Sequence, residues 1–192
     1  MRVQSATNLR QLFTASKLYS NERNLALNNA FIAADENLNR EQSGWWFQLT
    51  DGGYLGEGEG GFNHPRFYKV LGSPIQRNEV PELTIDRDPP VYCTYGMNGP
   101  LSKLEAGETR SLRSVRLIEP SRTLLISEGH LSDGNTWFAI AVDPWGQRPN
   151  TTDGIVTFIY ADGHLGQILE EEFPGAWDEK YSDEWYFWKG YE

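Results

Sequence analysis

The sequence predicts an α+β fold, with a long N-terminal helix packed on a mainly antiparallel sheet with irregular loops. Three observations carry that expectation. Neither Gly nor Pro interrupts the first 43 residues. After Gly44 the texture changes, and Gly, Pro and aromatic residues become frequent. The later apolar runs are short and several are bounded by Asp-Gly, a hairpin signal.

The helix comes first. Val3, Ala6, Leu9, Leu12, Phe13, Ala15 or Ser16, and Tyr19 recur at gaps of three and four, which places them on one face. No clear cap marks its start. A second helix is expected over Leu25 to Gln42, with Leu27, Phe31, Ala34 and Leu38 on one side. Asp51 to Phe62 is glycine-rich and reads as a loop. Strands are expected at Arg66–Leu71, Pro90–Tyr95, Ser114–Ile118, Thr123–Glu128, Trp137–Val142, Ile155–Tyr160 and His164–Leu169. The last two, joined by Ala161-Asp162-Gly163, form the clearest hairpin. Both alternating sets of the first of them, Val156, Phe158, Tyr160 and Thr157, Ile159, Ala161, are fit for burial. From Phe173 onward acids alternate with Trp and Tyr, and that tail is expected to wrap the surface without regular structure. The whole reads as one domain, 1–192, divided into a helix (1–24), sheet and loops (44–168) and an acidic aromatic tail (169–192).

At 192 residues and 39% apolar composition the chain can bury a core without disulfides or metal. Its net charge of −10 repels phosphates and argues against nucleic acid as a partner. No run reaches the length of a membrane span. The single cysteine, Cys93, lies in an apolar run and reads as a buried, inert thiol. Charge is uneven: Arg2, Arg10, Lys17 and Arg23 face only Glu22 at the front, while acids dominate from Leu169 to Glu192. Such asymmetry suits subunits that meet head to tail, with Arg2, Arg10, Glu170, Glu171 and Glu172 as contact charges.

No catalytic set emerges. His64, His130 and His164 lack metal-ligand spacing, and no nucleophile elbow or phosphate-binding loop occurs. No cofactor is expected, with calcium as the one metal to weigh: Asp133, Asp143, Asp153 and Asp162 are oxygen donors in turn-rich places. Trp45-Trp46, Trp145 and Trp185 could stack on sugar rings beside a carboxylate pair. Two alternatives to an assembly role therefore stand: a secreted carbohydrate-binding or glycoside-acting domain, and a calcium-dependent surface module.

A family resemblance favours assembly. Asn8-Leu9-Arg10-Gln11 resembles the Asn-Leu-Arg-Gln that follows the hydrophobic helix of prepilin-type proteins. Trp45-Trp46-Phe47-Gln48-Leu49 with Tyr54-Leu55-Gly56 resembles the aromatic segment that comes next. Tyr95-Gly96-Met97-Asn98, Pro120-Ser121-Arg122-Thr123 and Phe158-Ile159-Tyr160-Ala161-Asp162-Gly163-His164 resemble three further elements, in the family's order. The group is that with a C-terminal His, nine residues, then Asp-Gly. It is similar to the major pseudopilins of type II secretion, whose Asp-Pro-Trp-Gly resembles Asp143-Pro144-Trp145-Gly146. Thr152 stands where the family has that His, and Val70-Leu71-Gly72-Ser73-Pro74 lacks its Cys-Pro-Ser cysteine. The resemblance implies a pilin-like fold and a non-catalytic structural subunit of a pilus-like or type II secretion pseudopilus. Its partners would be other pilin-like subunits and the secretion or pilus machinery. It also implies a bacterial cell-envelope location, with inner-membrane anchoring before assembly through an N-terminal apolar helix that this chain lacks. The abrupt start then means a trimmed chain or a gene start placed too late.

Overall fold

The computed structural model describes residues 2–23, 45–56, 69–72, 95–98, 101, 116–128, 139–140, 151, 153–175 and 179–190. The expected helix Leu25–Gln42, Cys93, His64, His130, Trp145 and the side chain of Trp46 lie outside them. Helix α1 runs Arg2–Glu22 and α2 Trp45–Asp51. The strands are β1 (Tyr95–Asn98), β2 (Leu124–Glu128), β3 (Ala139–Ile140), β4 (Ile155–Tyr160) and β5 (Leu165–Leu169). A short helix, α3, spans Asp183–Trp188.

The strands form one sheet in the order β3-β1-β2-β4-β5. The four strands β1, β2, β4 and β5 are antiparallel to their neighbours, and the two-residue β3 joins β1 in parallel. The expected hairpin is present, with Ile155 opposite Leu169 and Ile159 opposite Leu165. Gly163 takes φ +95 at its turn, a conformation that suits glycine. The α+β class therefore holds.

Each face of the sheet has its own cover. Leu9, Leu12, Ala15 and Tyr19 of α1 pack with Trp45 and Leu49 of α2 onto Ile126 and Ile159. The odd positions of β4 face that helix. Its even positions, Val156 and Phe158, face the other way, as the two-residue period of a strand requires. There they meet Leu124 and the aromatic side chains Phe173, Phe187 and Trp188 of the tail. Phe158 makes edge-to-face contacts with Phe173 and Phe187 at centroid distances of 6.3 and 5.6 Å. The result is a sandwich of helix, sheet and tail.

That sandwich corrects three expectations. The tail is not an unstructured wrap: Ser182 caps α3 by accepting a hydrogen bond from the Trp185 amide at 3.1 Å, and Trp185, Phe187 and Trp188 are buried. Lys69–Leu71, expected as the end of a strand, is a 3-10 turn with Leu71 buried in the α1 core. Val3, expected on the buried face of α1, is 81% exposed. The expected Leu9, Leu12, Ala15, Ser16 and Tyr19 are buried, and the face widens to take in Ser5, Asn8 and Ser20. Polar partners draw that face inward: Asn8 Nδ2 donates to the Gly72 carbonyl at 3.0 Å, and Gln4 Nε2 donates to Asn8 Oδ1.

The tail end is pinned to the sheet. Asn98 Nδ2 donates to the carbonyls of Leu124 and Trp188, both at 2.8 Å, so it joins two strands to α3. The Trp188 indole donates to Gly175 O at 2.9 Å, and Ile118 N donates to Gly190 O at 2.7 Å. One residue ahead of the Ser182 cap, Tyr181 holds φ +71, the one non-glycine residue at positive φ among those described. That backbone costs a bulky side chain about 1–3 kcal/mol.

Candidate functional site

Among the described residues, the most developed polar constellation lies where the first turn of α1 crosses the sheet. Glu128, at the end of β2, is fully buried. A lone carboxylate there would be strongly disfavoured, so it must be paired and hydrogen-bonded. Arg2 supplies the charge: its Nη1 donates to Glu128 Oε2 at 3.0 Å. The Thr157 backbone amide donates to the same oxygen at 2.9 Å. Ser5, one turn along the helix, donates to Glu128 Oε1. Because the Ser5 proton is spent there, the Tyr95 hydroxyl at 3.1 Å is the donor to Ser5 Oγ.

Arg2 uses the rest of its fork as well. Nη1 also donates to Thr157 Oγ1 at 2.9 Å, and Nη2 to the Ile155 carbonyl at 2.6 Å. Nε and Nη2 together grip Asp153, the first at 2.9 Å and the second in a close contact. A planar guanidinium suits this bidentate hold, which an ammonium could not copy. One helix turn is thus tied to β1, β2 and β4 through a single charged network. All five donors of Arg2 and the Ser5 proton are spent on acceptors within the chain, which is the chemistry of a clamp.

The sequence-level candidates fall differently from expectation. Arg2, expected to reach a neighbouring subunit, is committed to Glu128 and Asp153 within its own chain. Glu170 is likewise engaged, accepting from the Thr151 amide at 3.1 Å. Arg10, Glu171 and Glu172 remain at the surface.

The calcium set does not assemble. Asp153 precedes β4 and Asp162 follows it, and the six residues of β4 span about 20 Å at about 3.4 Å per residue. Those two cannot share an ion, and Asp133 and Asp143 lie outside the described residues. Among the described residues no group of three or more His, Cys, Asp or Glu side chains is placed to hold a metal. Nor can Trp45 or Trp185 offer a face to a sugar, since they are 1% and 4% exposed.

Asp162 instead organises the β4–β5 turn. It accepts from the His164 amide at 3.1 Å and lies 2.7 Å from the His164 ring Nδ1. The His164 ring stacks on Tyr160 at 4.1 Å. Burial pushes the Asp162 carboxyl up, but the hydrogen bonds and charge of His164 outweigh it and hold the group below its ordinary 3.8. A lowered folded value stabilises the fold above the unfolded one and is lost as pH falls. We therefore expect the Asp162 carboxyl, followed by NMR, to protonate below pH 3.8. Asp162→Asn should remove part of the acid sensitivity in that range, and a midpoint at or above 3.8 would contradict this. On the helix side, burial lowers the Lys17 ammonium and Asp162 partly opposes it.

Sequence reasoning missed Glu128 altogether. It lies 126 residues from Arg2, and nothing local marks it apart from an acid at the end of an apolar strand. Among the described residues, no helix is long and apolar enough to cross a membrane. No family model matches the chain, and neither the curated proteins nor the solved structures contain a match to it.

Proposed function

We propose that this chain is a non-catalytic structural subunit of a pilus-like or pseudopilus assembly of the bacterial cell envelope. One observation carries the reading: the two covers of the sheet bear opposite charge. On the α1 side Arg10 and Arg23, the residue just past the helix, are exposed against Glu22. The tail side exposes Glu171, Glu172, Glu179 and Glu184 against Lys180, with Asp183 paired to Arg122. Opposite charges on opposite faces favour a head-to-tail contact between copies, and such heterologous contacts build open filaments when they do not close into a ring. The five sequence elements that resemble prepilin-type proteins support the same reading. So does the clamp, which holds a long helix rigidly on the sheet, as a spine-and-head subunit requires.

The test is the genomic reading frame upstream of Met1. A basic leader, a processing site and about 20 apolar residues in frame would give the subunit its membrane anchor and filament spine. A stop codon directly upstream would remove the filament reading.

A further inference from the structure

Tyr181 is the odd residue of the tail. It is 55% exposed and sits at φ +71, where glycine or asparagine would rest more easily. Nothing in the turn itself requires an aromatic ring. The ring is nevertheless held in place: Trp185 meets it edge to face at 5.1 Å, and Lys180 Nζ lies 4.9 Å from its centroid. Trp185 is itself buried, so the prop is rigid. The sequence neighbours of Tyr181, namely Glu179, Asp183 and Glu184, are all exposed. Arg122 pairs with Asp183 and stacks on Tyr186 at 4.2 Å, so Glu179 and Glu184 carry the acidic rim.

A complementary surface lies across the molecule. Val3, Thr7, Arg10, Thr14 and Leu18 follow one another at helical spacing along the outer side of α1, and none of them is buried. Thr7 Oγ1 donates to Val3 O at 2.8 Å, and Thr14 Oγ1 donates to Arg10 O at 2.9 Å. Both hydroxyls are thereby turned onto the helix backbone, which leaves the methyl groups outward. The stripe is therefore apolar, with Val3 81% and Leu18 50% exposed and Arg10 as the cation in its middle. An aromatic knob with an acidic rim meets an apolar stripe with a central cation.

From this match we infer that Tyr181 is the anchor of contact between copies of this chain, seated on the Val3–Leu18 stripe of the next copy with Glu184 against Arg10. The inference rests on the assembly reading and specifies its interface. The αL backbone is then the conformation that lifts the ring clear of the tail, and the binding contact offsets its strain.

Sedimentation velocity on the full chain tests it. Wild type should self-associate as concentration rises toward about 1 mM. Tyr181→Gly, which suits φ +71, should keep or raise the thermal midpoint and weaken association about tenfold or more. Leu18→Ser on the opposite face should weaken it similarly, which keeps the test valid should the tail variant fold poorly. Arg10→Glu and Glu184→Arg should each weaken it, and the double variant should restore it. A wild type that stays monomeric, or Tyr181→Gly and Leu18→Ser variants that associate normally, would overturn the inference. Charge-reversal effects without an effect of Tyr181→Gly or Leu18→Ser would leave a charged contact elsewhere on these faces. The upstream reading frame still decides the assembly role separately.

Discussion

Arg2→Met should lower the unfolding free energy by about 3 kcal/mol, the cost of leaving a buried carboxylate without its counter-charge. Glu128 has no solvent to fall back on, being fully buried. Ser5 and the Thr157 amide would still donate to it, but neither carries charge. The informative comparison is the double variant Arg2→Met with Glu128→Gln. A neutral amide of the same shape removes the isolated charge, so the double variant should recover a large part of the loss. Asp153→Asn should cost under about 1 kcal/mol, because that partner is 44% exposed and the pair is screened by water. Urea denaturation of the four proteins measures all of this. Equal costs for Arg2→Met and Asp153→Asn would mean that the buried partner contributes nothing special.

The second large effect is expected at Trp188. Its side chain is 1% exposed, packs edge to face on Phe173 at 5.8 Å and on Phe187 at 5.3 Å, and donates its indole proton to Gly175. Trp188→Ala should cost about 3–5 kcal/mol through lost burial, a cavity and an orphaned carbonyl. Trp188→Phe keeps most of the volume and should cost about half as much. Because Trp188 belongs to the tail, the same substitution should expose Val156, Phe158 and Leu124 to solvent. Increased dye binding by the Ala variant would report that exposure. A loss below about 1 kcal/mol would mean that the tail is dispensable for the fold.

Much of the architecture was legible in the sequence, and the exceptions share a cause. The β4–β5 hairpin was readable because its pattern is local: two apolar runs flank Asp162-Gly163. The α1 helix was readable from its length and spacing, but its inward face was misjudged at Val3. Apolar periodicity gives no weight to Ser5 and Asn8, whose burial is decided by Glu128, Tyr95 and the Gly72 carbonyl far along the chain. Helix α3 was missed because six residues give no stripe to read. Its one local signal was Ser182 followed by Asp183 and Glu184, a cap with acids in the first turn. The clamp was half visible. By sequence Arg2 reads as a contact charge and Asp153 as a metal ligand, yet each satisfies the other. Pairing across 151 residues is a property of the fold, and no spacing rule reaches it.

The Arg2 network also has a mechanical side. Its bonds run from the first turn of the helix into β2 and β4 and, through Ser5, to β1. A pull on the helix along its axis at that end would load these bonds together instead of one after another. Tension would therefore pass into the middle of the sheet at once, before the apolar contacts of Leu9 and Leu12 begin to slide. A helix joined to its sheet in this way behaves as a rigid link under load. Its yield force should fall sharply once the guanidinium is replaced.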